Sequence, residues 1–233
     1  GGEDDALGAA RALADQDQHR DAVECYQAAI RAYESLVTRG LQQHRAGLAR
    51  ARTNLGNSLV AVERPQRAIV VLAEALHNYD QLVERADGWL LRLSADREHA
   101  RICLANAFLR LGNADEAHAH CDRAVKEAEA MRSSTASSHS MLTLLARAET
   151  LMGQVWVAKG RLDLAVWHGE RGHSLWDELV DLKGATHLLA IRCDGYVALG
   201  NALSARHELS RAKPFDLHAR AVYQHLEDDR KLP

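Results

Sequence analysis

The sequence is poor in the residues that build strands, tight turns and aromatic cores: 233 residues hold three prolines and two phenylalanines. Ala, Leu, Arg, Glu, Asp and His dominate instead, and such material favours long helices joined by short loops. No run of about 18 uncharged apolar residues is present, which excludes a membrane-spanning helix. The acidic start, Gly1, Gly2, Glu3, Asp4 and Asp5, lacks the basic region of a signal peptide. Both absences point to a soluble, cytoplasmic protein. Cysteine is sparse as well. Cys25, Cys103, Cys121 and Cys193 form no CxxC pair, so the thiols read as reduced, small apolar residues at helix interfaces rather than as a disulfide framework. A net charge of −3 gives no global bias toward nucleic acid or an anionic membrane, and neither partner is expected.

Catalytic signatures are missing too. The chain has no G-x-S-x-G, no glycine-rich phosphate loop and no H-E-x-x-H. Thirteen histidines raise the question of a metal. His118 and His120 are two apart on a helix and point to different sides, and His168 and His173 differ by about 140° of rotation, so neither set chelates from one face. The expectation is no enzyme, no metal and no cofactor. Trp89, Trp156, Trp167 and Trp176 read as packing between repeats, with Trp89 and Trp176 near helix ends and open to exposure.

What the chain does have is an internal repeat. From a small residue, a larger apolar residue follows three later, Gly often seven later, Ala twelve later, an apolar residue sixteen later and Ala nineteen later. The second copy runs Gly56, Leu59, Ala68, Leu72, Ala75, and the third Ala105, Phe108, Gly112, Ala117, Cys121, Ala124. The fourth runs Gly153, Trp156, Gly160, Ala165, Gly169, Gly172. The fifth is read as Cys193, Tyr196, Gly200, Ala205, Leu209, Ala212, and the first as Ala10, Leu13, Ala22, Tyr26, Ala29. Small residues let antiparallel helices approach, larger ones fill the holes, and a mid-repeat Gly or Pro65 marks the corner.

The strings LGNSL and LANAFLRLGNADEA resemble the tetratricopeptide repeat, whose pattern is a small residue and an aromatic in the first helix, then Ala, aromatic, Ala in the second. Start residues Ala10, Gly56, Ala105, Gly153 and Cys193 are separated by 46, 49, 48 and 40 residues. The standard unit has about 34. The chain is therefore similar to the long-helix branch found in kinesin light chains and in bacterial regulatory and signalling proteins. The resemblance implies an all-α solenoid, a single superhelical domain over 1–233.

Helix pairs are expected near 4–16 and 19–39, 41–62 and 65–86, 89–111 and 114–132, 140–159 and 162–183, and 185–199 and 202–212. They group into repeats 4–39, 41–86, 89–132, 140–183 and 185–212. Gly40, Asp87 with Gly88, the Ser-rich stretch 131–140 and Gly184 mark the joints. Pro214 should end the last repeat, and 216–228 reads as an amphipathic closing helix over the exposed end of the stack. Nothing comparable shields the first repeat, which is where self-association is expected.

In such a solenoid the first helices line the concave surface, and the residue after each small one faces that groove. In copies two and three it is Asn57 and Asn106, in copy four Gln154, in copy five Asp194 and in copy one Arg11. A carboxamide offers donors and an acceptor, so it can hold both N–H and C=O of an extended peptide; it serves the fold equally well by bonding a neighbouring helix or water. The resemblance implies the peptide-holding role. Groove neighbours are Arg50, Thr53 and Val60 in copy two, His99, Ile102, Leu109 and Arg110 in copy three, and Arg147, Thr150 and Val157 in copy four. Arg50, Arg110 and Arg147 lend the groove positive character, suited to an acidic segment, unless solvent or neighbouring Glu satisfies them. The expected function is a non-catalytic scaffold for a protein or peptide. The alternative is a sensory or regulatory repeat domain of a larger bacterial signalling or transcription-regulating protein, to which the Ala-, Arg- and His-rich composition adds a slight hint.

Overall fold

The computed structural model describes residues 2–84, 90–134, 139–183 and 189–229. Among them every regular element is helical. The order is α1 (Gly2–Asp15), α2 (His19–Thr38), a 3-10 turn at Gln42–His44, α3 (Arg45–Ala61), α4 (Pro65–Val83), α5 (Leu90–Arg110), α6 (Ala114–Ser134), α7 (His139–Ala158), α8 (Leu162–Lys183), α9 (Leu189–Ala205) and α10 (Leu209–Asp229). None is long and apolar enough to cross a membrane. The proposed joints at Asp87, Gly88 and Gly184, the middle of the Ser-rich stretch (135–138) and Trp89 lie outside the described residues.

Five helix pairs share one corner, built mainly by the backbone. The corner residue is left-handed in each: Asp17 (φ 66°), Glu63 (φ 59°), Gly112 (φ 85°), Gly160 (φ 71°) and His207 (φ 63°). The amide after it reaches back to close the preceding helix, as Gln18 N to Leu13 O, Arg64 N to Leu59 O, Asn113 N to Phe108 O, Arg161 N to Trp156 O and Glu208 N to Leu203 O, all at 2.8–2.9 Å. That is the Schellman arrangement, which satisfies carbonyls left over at a helix end. The same residue's carbonyl then accepts from the N–H of Ala22, Ala68, Ala117, Ala165 or Ala212, starting the next helix. Pro65 at the first position of α4 suits this start, since its absent N–H has no partner to lose.

These corners correct the fifth repeat. Counting seven back from each left-handed residue gives Ala10, Gly56, Ala105, Gly153 and Gly200, spaced 46, 49, 48 and 47. The fifth copy therefore starts at Gly200, not Cys193, and continues through buried Leu203, Ala212 and Ala219. Gly200 is a contact glycine rather than a corner glycine: a Cβ there would meet Asp216 Oδ1 at 2.6 Å, as one on Gly56 would meet Leu72 Cγ at 2.4 Å. Pro214 does not end a helix. It sits inside α10, so the segment 216–228 continues that helix instead of forming a separate closing one. The lost bond falls on the exposed side, at Pro214 and Ser210, while Ala212, Phe215, Ala219 and Val222 hold α10 against α9. Burial of several such side chains, at roughly 1.5–3 kcal/mol for a large one, outweighs the cost of about 3 kcal/mol for a proline inside a helix.

The chain divides into two compact units, Gly1–His120 and Cys121–Pro233, with the boundary inside α6. In the first, α1 to α5 pack in chain order and the first helices also touch, α1 on α3 and α3 on α5. Its core holds Ala10, Tyr26, Leu55, Leu59, Leu72, Tyr79 and Leu104. In the second, α7 to α10 pack in order and α7 also touches α9, with Ala165, Val166, Leu199, Leu203 and Ala212 at the centre. Buried Trp176 donates its indole N–H to Thr150 at 3.1 Å, in keeping with packing between repeats, whereas Trp167, expected to pack likewise, is 52% exposed.

Candidate functional site

In the first unit the open face of the first helices carries one stripe of each. On α3 the side chains at partial or full exposure include Arg50, Asn54 and Asn57, spaced four and three apart so that they share a face. On α5 they include Asp96, His99, Asn106 and Arg110. Asn57 and Arg110 are exposed and Asn106 half-buried, as a contact surface requires. His99 is half-buried, with its Nε2 3.9 Å from Cys103 Sγ on its own helix.

Two expected groove residues are turned elsewhere. Thr53 is 2% exposed, and its hydroxyl donates to Ala49 O at 2.9 Å within α3. Thr150, 7% exposed, accepts the Trp176 indole N–H. Both sit on the helix side that packs against neighbours, where they serve the core. Ile102 and Val60 are likewise buried.

The charge of this face is more balanced than Arg50 and Arg110 alone imply. Arg50 Nη2 lies 3.9 Å from Asp96 Oδ2, a carboxylate not singled out from sequence. Partial burial pushes Asp96 above the ordinary carboxylate range, while Arg50 and then Arg92 pull it back. Beneath this pair, burial also raises the Tyr79 hydroxyl, and Asp96 raises it further. Tyr33 donates to Asp4 at 2.5 Å, a bond that lowers the Asp4 carboxyl; burial, and after it this bond, raises the tyrosine.

In the second unit, Arg147 and Gln154 are half-buried on α7. Asp194, the expected groove residue of copy five, has no described side chain. The corrected register replaces it. The residue after Gly200 is Asn201, which is exposed on α9. A carboxamide thus follows the small residue in four consecutive repeats: Asn57, Asn106, Gln154 and Asn201. The signal is present in LGNAL, which repeats the wording of LGNSL, but its distance of seven residues from Cys193 makes Gly200 read as a corner. Among the described residues no three His, Cys, Asp or Glu side chains converge on a point where a metal ion would sit.

No family model and no curated protein matches the chain in sequence. Solved structures do match in shape. A Podosopora anserina protein described as kinesin light chain-like, with nearly identical TPR-like repeats, aligns over 95% of this chain and 95% of its own, at 16% identity and a TM-score of 0.58. BtubC (BKLC) from P. vanneervenii aligns over 97% of this chain and 90% of its own, at 14% identity and a TM-score of 0.59. Together with five pairs closed by one recurring corner, this likeness gives the chain the all-α repeat fold of tetratricopeptide-like proteins.

Proposed function

We propose that the chain is a non-catalytic binding module that holds an extended segment of a protein partner against the open face of its first helices. The observation that carries this reading is the carboxamide recurring at one repeat position, solvent-facing or half-buried, at Asn57 and Asn106 in the first unit and at Gln154 and Asn201 in the second. Within either unit the two carboxamides can satisfy the N–H and C=O groups of a strand-like peptide whatever its side chains, so affinity comes from the main chain. Arg110 and Arg147 add a preference for acidic side chains, with Arg50 partly committed to Asp96. His99 lies on the same stripe of α5 and completes the surface.

The test is a displayed library of random peptides selected on the immobilised protein, with the enriched peptides then measured in solution. Asn57→Ala combined with Asn106→Ala should weaken them about tenfold or more, the loss of a few main-chain hydrogen bonds, with the thermal melt unchanged. Enriched peptides that bind the double variant as tightly as the parent sink the reading.

A further inference from the structure

On the opposite face, where second helices flank a first helix, the repeats place charged groups at matching positions. Between α2 and α4 the floor residue is Arg52, four before Gly56, and carboxylates from both walls close on it: Glu34 Oε1 at 2.7 Å from Nη2 and Glu74 Oε2 at 3.2 Å from Nε. In the second unit the same three positions hold Glu129, Glu149 and Arg171, and they again close, Arg171 pairing with Glu129 and lying 3.2 Å from the fully buried Glu149.

The last interstice has Tyr196 as its floor and no such cluster; among those with a charged floor, one does not close. Its floor is Arg101, four before Ala105, 5% exposed and bonded through Nε to Glu98 Oε2 at 2.7 Å on its own helix. At the position of Glu34 stands Asp80, one methylene shorter and 3.8 Å from Arg97 instead; at the position of Glu74 the sequence has Arg123, not a carboxylate. What remains is a cleft of about 350 Å³, against about 200 Å³ beside Arg52. Arg101 lines it together with Leu76, Leu104 and Phe108; His77, His120 and the Asp80 carboxylate, which faces Arg97, stand at its sides, the His120 ring stacked on Phe108 at 5.5 Å.

We infer that this cleft binds a small carboxylic acid with an apolar body, whose carboxylate takes the place on Arg101 that Glu34 and Glu74 take on Arg52. A guanidinium held at the base of an apolar cleft has donors left after one bond to Glu98, and a carboxylate is the group whose geometry matches them. The apolar walls and the volume suit a body of roughly ten heavy atoms. The site lies wholly in the first unit and uses none of the first-helix face described above.

The probe is 4-phenylbutyrate, titrated calorimetrically into the whole chain beside its neutral amide. The acid should bind at least tenfold tighter than the amide. Ala73→Trp, which plugs the cleft from an exposed position, should abolish binding with the melt unchanged, and Arg101→Gln should erase the preference for acid over amide. Acid and amide binding alike, or acid binding that survives Ala73→Trp, overturns the proposal. A third arm uses acetyl-Leu-Glu-Leu-amide: if that peptide is captured in the cleft and phenylbutyrate is not, the occupant is a partner's acidic side chain and the small-acid site is wrong.

Discussion

Asp96 shows how one carboxylate sets the character of the open face. Its pKa is raised in the folded chain chiefly by burial. The sign follows: a carboxyl whose folded value lies above its unfolded one favours folding below the unfolded pKa, and that contribution is lost as pH rises through the folded value. At neutral pH Asp96 is therefore a cost. The compensating pair with Arg50, at 3.9 Å between side chains 43% and 32% exposed, is worth roughly 0–1 kcal/mol at most. Asp96→Asn should raise the melting temperature at pH 7, and the gap should close near pH 3; a variant that melts lower at pH 7 contradicts the assignment. At this scale the sequence was only partly legible. The outward setting of Asn57 and Asn106 could be read because they follow small residues in clear copies, whereas Thr53 and Thr150 lie on the packed side, since a threonine can bond its own helix or a buried indole as readily as a ligand. Asp96 carried no pattern at all, and its relation to Arg50 depends on how α5 lies on α3.

Glycine does two jobs in these helices, and the sequence does not say which. Gly112 and Gly160 supply the left-handed corner, whereas Gly56, Gly153 and Gly200 permit close approach of the second helix. Gly200, seven residues after Cys193, looked like a corner, and that shifted the fifth copy. The corners themselves are fixed by backbone hydrogen bonds, so Asp17, Glu63 and His207 occupy the left-handed position without glycine. A non-glycine residue there pays about 1–2 kcal/mol, less the entropy that glycine loses on folding. Glu63→Gly and His207→Gly, both at exposed sites, should each stabilise the chain by about 1 kcal/mol in urea titration. Pro214 is the other local misfit. Proline inside a helix costs about 3 kcal/mol relative to alanine, and here it is exposed and without an N–H for Ser210 O. Pro214→Ala should stabilise by about 2–3 kcal/mol with a small gain in helical dichroism; no change would mean that α10 is already frayed up to that point.

The recurring corner and the matched positions make each helix pair a unit that buries little by itself and much against its neighbours, so stability is a sum of local terms. The division into Gly1–His120 and Cys121–Pro233, each with its own hydrophobic clusters, lay beyond a sequence reading because all five copies use the same spacing. It has a measurable consequence. A Cβ on Gly56 would lie 2.4–2.9 Å from three carbons of Leu72, which is fully buried and cannot turn away. Overpacking of this kind costs about 1–3 kcal/mol, against about 1 kcal/mol gained from alanine's helix propensity. Gly56→Ala should therefore destabilise the first unit. Trp156, Trp167 and Trp176 all lie in the second, so in a Trp89→Phe background indole fluorescence reports that unit alone. The urea transition followed by helical dichroism should move to lower denaturant in Gly56→Ala at its early part, while the fluorescence midpoint stays within error of the parent. If both midpoints fall together, the destabilisation has been transmitted through α6 and the chain unfolds as one cooperative body.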